Sequence, residues 1–185
     1  MIMKGLGTAL ITPFTEDGKV DFQSLSNLIE HQVAGDTDYL VILGTTSEVP
    51  TLTHQEQNAL IEYVVKQVAG RMPLVLGIGG NSTAAVVERI GELKEQLIAH
   101  FTAILSVTPY YNRPQQEGLY QHFCAVAEVS PVPVILYNVP KRTGVNLLPE
   151  TTRRIYEAHP DKIMGIKEAC NSVEQFTETV NIANG

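Results

Sequence analysis

Six strand-then-helix repeats predict an α/β protein built on a parallel sheet. Apolar runs of strand length recur at 6–11, 39–43, 73–78, 102–107, 132–137 and 163–166. They are near-continuous rather than alternating, as in parallel strands covered on both faces. A segment with helical spacing follows each run, and the repeat measures roughly 30 residues, the size of a βαβ unit.

The helices carry their own start and stop signals. Asp21 caps a helix over 22–34, with Leu25, Leu28, Ile29 and Val33 at helical spacing. Thr53 and Glu56 form a capping box for the second helix. Asn81-Ser82-Thr83 turns into a third, expected to run through Leu97, and a fourth spans 115–129. Pro149 suits the first turn of a fifth that runs through Ala158. Ser172 and Gln175 form a second capping box for a sixth helix through Ala183, with Asn184-Gly185 as its C-cap. No linker or low-complexity stretch interrupts the pattern, so 1–185 reads as a single domain. Two architectures fit: a doubly wound open sheet or a (β/α)8 barrel.

Composition narrows the function classes. A length of 185 residues with 44% apolar and 18% charged residues suits one globular domain with a real core. The net charge of −7 without a Lys/Arg cluster argues against nucleic acid and anionic membranes as partners. No apolar run approaches the length of a membrane span, and the N-terminus lacks the apolar core of a signal peptide. Cys124 and Cys170 lie far apart and read as reduced thiols of a cytoplasmic protein. The five histidines are scattered, so no metal site is expected.

The run 163–166 ends in Lys167. A lysine at the C-terminal end of a parallel strand, walled by apolar side chains, is poorly hydrated, and a neutral amine can attack a ketone to form a Schiff base. The plainer reading is a lysine snorkelling to solvent or pairing with Glu168. Three other strand ends carry polar groups. Thr45-Thr46 precede a helix and offer a carboxylate cradle, or an ordinary turn. Tyr110-Tyr111 suit packing or an interface. Tyr137 ends its strand with Arg142 five residues on, a phenol that can relay protons and a guanidinium that can hold a carboxylate, or else a core tyrosine and a surface arginine. Gly77-Ile78-Gly79-Gly80 is not a dinucleotide fingerprint, because Ser82 stands where glycine is needed. It reads as a tight βα turn. Cys170 reads as a buried inert thiol, and His54 and His122 as helix-surface residues.

Four ordered motifs then resemble the dihydrodipicolinate synthase family: Gly44-Thr45-Thr46-Ser47-Glu48, Thr108-Pro109-Tyr110-Tyr111-Asn112, 137–144 (Tyr-Asn-Val-Pro-Lys-Arg-Thr-Gly) and Gly165-Ile166-Lys167-Glu168-Ala169. The resemblance runs from Lys4 to the end of the chain. It implies a TIM (β/α)8 barrel, a Schiff-base-forming lyase without cofactor, and condensation of pyruvate with aspartate semialdehyde in lysine and diaminopimelate biosynthesis. It makes Lys167 the imine-forming lysine and Tyr137 the proton relay. Thr45 would link Tyr137 to Tyr111, and Tyr111 would reach a neighbouring subunit of a homo-oligomer. Thr46 would hold the pyruvate carboxylate and Arg142 the acceptor carboxylate. The related N-acetylneuraminate lyases share fold and lysine, but Thr45-Thr46 and Arg142 resemble the synthases more closely. The other alternative is a non-catalytic chain acting through subunit association.

Several positions depart from the family pattern. Ser47 replaces a usual glycine, which would reshape its loop if that position needs positive φ. His54, Asn81 and Tyr110 match parts of a lysine effector site. Ala85 stands where an acidic residue is expected there, and Gln57 replaces a second histidine, so weak or absent lysine feedback is expected. A complete barrel runs to about 250 residues. The resemblance therefore implies a barrel truncated to about six βα units, with open first and sixth strands and water reaching Lys167.

Overall fold

The computed structural model describes residues 3–93 and 95–183. They divide into two compact units, the first comprising the chain up to Gly77 with Glu95–Thr102, the second the remainder. The expected C-cap at Asn184-Gly185 lies outside the described residues.

In the first unit, β1 (Gly7–Ala9), β2 (Tyr39–Ile42) and β3 (Leu74–Gly77) pair in parallel, with Ala9 opposite Val41 and Val41 opposite Val75. Helix α1 (Phe22–Ala34) starts where Asp21 accepts the Ser24 N–H and buries Leu25 and Ile29. Helix α2 (His54–Val68) starts on the expected capping box, with Thr53 and Glu56 each accepting from the other's backbone N–H. It buries Leu60, Ile61, Val64 and Val68, and stops as Ala69 and Gly70 adopt positive φ. The core of this unit includes Ile29, Leu40, Val68 and Leu76, all sealed from solvent.

In the second unit, α3 (Thr83–Glu92) is capped by Ser82, which accepts the Ala85 N–H. It ends earlier than the spacing predicts. Leu93 is extended, and a separate four-residue turn, Glu95–Ile98, belongs to the first unit. Gly91 in the last turn of α3 weakens the continuation. Then come β4 (Ala103–Val107), α4 (Gln116–Val129), β5 (Val134–Asn138), α5 (Pro149–Ala158), β6 (Ile163–Glu168) and α6 (Val173–Ala183). Pro149 opens α5 as expected. Arg154 of α5 stacks 4.4 Å over the Tyr120 ring and donates to Glu117, joining α5 to α4. A one-turn helix, Pro140–Thr143, interrupts the connection after β5. Proline opens it, and Gly144 closes it at φ 72°.

The expected sixth strand ended before Lys167, but the observed β6 includes Lys167 and Glu168. It is also irregular. Val134 of β5 is opposite Ile163, but Ile135 is opposite Gly165, so Met164 is an extra residue in the ladder.

Candidate active site

The bulge decides which way Lys167 faces. Unbroken pairing from Val134–Ile163 would set Tyr137 opposite Ile166 and Asn138 opposite Lys167. With Met164 looped out, Tyr137 is opposite Lys167 and Asn138 opposite Glu168. Cross-strand partners share a face, and neighbours along a strand alternate. Val107, Tyr137 and Lys167 therefore lie on one face, and Asn138 and Glu168 on the other. The bulge also puts Ile163 and Ile166 on the same face as Val134 and Leu136, which their i,i+3 spacing would otherwise forbid.

On the first face, the Lys167 Nζ stands 4.3 Å from the centre of the Tyr137 ring. Such an ammonium–ring contact is worth about 0.5–1 kcal/mol at an exposed site. Tyr137 is buried and Lys167 is exposed. The apolar walls expected around Lys167 do not cover it, and the expected access of water is present. Glu168 is not its ion-pair partner, because the two side chains leave the strand in opposite directions.

On the second face, the Glu168 carboxylate accepts from Asn138 Nδ2 (2.9 and 3.1 Å), Gln175 Nε2 (3.1 Å) and the Cys170 N–H (2.8 Å). Asn138 is fully buried. Its Oδ1 accepts the Leu147 N–H at 2.9 Å, and its amide also approaches Asn146 Oδ1 at 2.8 Å. Asn146 Nδ2 donates to Gln175 Oε1 at 2.7 Å. The segment 138–147, which carries Arg142, is thus closed into a loop. Sequence reasoning missed this network. Gly165 inside a strand was the available sign of a bulge. The second capping box is only half formed: Ser172 accepts the Gln175 N–H, but the Gln175 side chain turns to Glu168 and Asn146.

Arg142 is exposed on the Pro140–Thr143 turn. Arg113 lies over the end of the same turn. A Cβ at Gly144 would come within 2.9 Å of its Nε, so a side chain there would displace it. Tyr111 is 88% exposed at φ 70°, and Arg113 also has positive φ. Between them, Asn112 donates to the Asn81 carbonyl at 2.6 Å. Tyr110 is exposed beside Tyr111.

In the first unit, Thr45 and Thr46 are exposed on a 3-10 turn, Thr45–Ser47, whose leading N–H groups have no partner within it. Ser47 does not reshape the turn in the way expected. Positive φ falls instead on Leu43 and Glu48, while the Ser47 hydroxyl donates to the Leu10 carbonyl at 2.7 Å. A serine here ties the turn to the end of β1. Gly77 is needed for close approach rather than for a turn, since a Cβ would meet the Leu43 carbonyl oxygen at 2.1 Å. His54 is exposed at the start of α2, and Gln57 is buried with its amide on the Leu52 carbonyl.

Two expectations are corrected. His122 is not on the helix surface. It is buried in α4, with Nδ1 2.9 Å from the Thr83 hydroxyl, and burial pushes its pKa down to about 4. Cys170 is half-buried rather than buried, and desolvation raises its thiol pKa. Among the described residues no cluster of His, Cys, Asp or Glu is arranged to hold a metal, and no helix is long and apolar enough to cross a membrane.

The model of the dihydrodipicolinate synthetase family matches residues 2–184. The chain belongs to that family. Among its relatives, the 4-hydroxy-tetrahydrodipicolinate synthase of Parabacteroides distasonis is 51% identical over 96% of this chain and 59% of its own length. The enzyme of that name from Bacillus subtilis is 47% identical over 95% of this chain and 59% of its own. The solved dihydrodipicolinate synthase of Thermotoga maritima superposes with a TM-score of 0.92 at 38% identity, covering all of this chain and 61% of that one. The chain thus spans about three-fifths of the length of these relatives, and its six βα units are those of a truncated TIM barrel.

Proposed function

We propose that this chain carries the Schiff-base chemistry of a dihydrodipicolinate synthase, condensing pyruvate with aspartate semialdehyde. The observation that supports this most is the Lys167 amine over the Tyr137 ring, on the strand pair whose β5 leads into the turn bearing Arg142. The Lys167 Nζ attacks the ketone carbon of pyruvate, and loss of water gives the imine. Loss of a methyl proton gives an enamine, which attacks the aldehyde carbon. The acceptor's own amine then displaces Lys167 as the ring closes. Tyr137 moves protons at Nζ and at the carbinol oxygen. Arg142 takes the acceptor carboxylate bidentately. For Thr45, Thr46 and Tyr111 the support is the motif each stands in. Thr46 with its turn N–H groups holds the pyruvate carboxylate, Thr45 joins the proton relay, and Tyr111 serves a neighbouring copy of a homo-oligomer in the cytoplasm. With Ala85 and Gln57 at two effector positions, His54, Asn81 and Tyr110 match only parts of the family's lysine-effector pattern, and feedback is weak or absent.

Borohydride trapping with pyruvate, read by mass spectrometry on intact chain and peptides, tests the reading. A pyruvate-derived adduct on Lys167, absent from Lys167→Ala, is expected. Turnover of aspartate semialdehyde then separates the synthase from an N-acetylneuraminate lyase. The exposure of Lys167 favours one second reading, a non-catalytic chain acting through subunit association. A folded chain that forms no adduct would overturn the Schiff-base reading for this chain.

A further inference from the structure

We infer that Glu168 is a positioning residue for Lys167 and Tyr137, locking the bulged register of β6 on β5. The inference rests on the Schiff-base reading above. A regular pairing of these strands would differ from the observed one by the single residue Met164. In the regular one, Lys167 turns to the face of Asn138. In the bulged one it turns to Tyr137. The bulge leaves a residue unpaired in the ladder, so the preference has to come from side chains. Glu168 supplies it. Only in the bulged register is it opposite Asn138, where its carboxylate collects the Asn138, Gln175 and Cys170 donors. Hydrogen bonds to a carboxylate are among the stronger ones, and this set is partly withdrawn from water. Gln175 gives up the reciprocal half of its capping box to join. The same knot reaches Asn146 and Leu147, so it also holds the loop bearing Arg142. Glu168 faces away from the Lys167 amine and acts on it only through the backbone.

The test uses the whole chain. The rate of pyruvate-dependent trapping at Lys167 is followed against pyruvate concentration, over roughly pH 6–9, in wild type, Glu168→Gln, Glu168→Asp and Gln175→Met. Glu168→Gln keeps the size but sets an amide against the Gln175 amide. Misplacement of a reacting group by about 1 Å can cost about a hundredfold. The maximal trapping rate is accordingly expected to fall about tenfold or more, with the half-saturating pyruvate concentration within about twofold and an altered pH profile. Glu168→Asp recovers part of the rate. Loss of stability alone would not divide rate from half-saturation in this way. A Glu168→Gln chain that traps at the wild-type rate with the wild-type pH profile overturns the inference and leaves the Schiff-base reading standing. A wild-type chain that traps nothing overturns both. If Glu168→Gln loses its helical circular dichroism, Gln175→Met carries the test. A drop of about threefold in the same direction is then expected, and an unchanged rate overturns the inference.

Discussion

At the end of β2 the chain is turned mainly by its backbone, with a single side-chain tie, whereas at the ends of β5 and β6 it is held by a network of side chains. In the first unit, Leu43 takes φ 51°, its carbonyl rests on Gly77, and Ser47 ties back to Leu10. In the second, Asn138, Asn146, Glu168 and Gln175 meet from three segments, the 138–147 loop, β6 and α6. The first arrangement tolerates exposure, since it depends on the fit of the main chain. The second depends on every donor meeting its acceptor, so a single altered amide is felt throughout. The pair of groups assigned the chemistry stands on the second kind of support.

The largest expected effect comes from cutting the second support at its centre. Asn138→Leu removes the amide that both Glu168 and the Leu147 N–H use, releases the bulged register and lowers pyruvate trapping about a hundredfold. Trapping by the Asn138→Leu chain at the wild-type rate would show that this network is not what aims the lysine.

In the first unit, Gly77→Ala drives a methyl group into the Leu43 carbonyl. It is expected to cost about 2–3 kcal/mol in urea unfolding, against little change if the β2 and β3 ends can part.

His122 adds a pH dependence to the second unit. Its pKa of about 4 lies below the roughly 6.5 of an unfolded chain. Between those values the unfolded state binds more protons, so stability falls as the pH drops from about 6.5 toward 4. From pH 7 to pH 5 this group accounts for a loss of about 2 kcal/mol. The loss should vanish in His122→Gln when urea midpoints at the two pH values are compared. The smallest effect is local: Thr53→Ala removes one half of a capping box and costs about 1 kcal/mol, read from the shift in thermal midpoint.

The parts of the fold readable in advance share a feature with Thr53 and Asp21. Their determinants lie within four residues of each other, as with Pro149 at the start of α5. The strand positions were readable from apolar runs, and with them the placing of Tyr137 and Lys167 near the ends of β5 and β6. His122 was misjudged because one polar residue on an apolar helix face carries no mark of its burial. Gln175 was misjudged because a local cap and a distant carboxylate compete for one side chain, and the charged acceptor wins.

By itself the sequence determined the six βα units, the helix starts at Asp21 and Thr53 and the family to which the chain belongs. The tertiary structure alone decided that Lys167 faces Tyr137. A strand's side chains alternate with period two, so one looped-out residue reverses every face beyond it. Whether Met164 is looped out depends on Asn138 and Gln175 meeting Glu168 across the fold, and those contacts are not encoded in any short stretch of the chain.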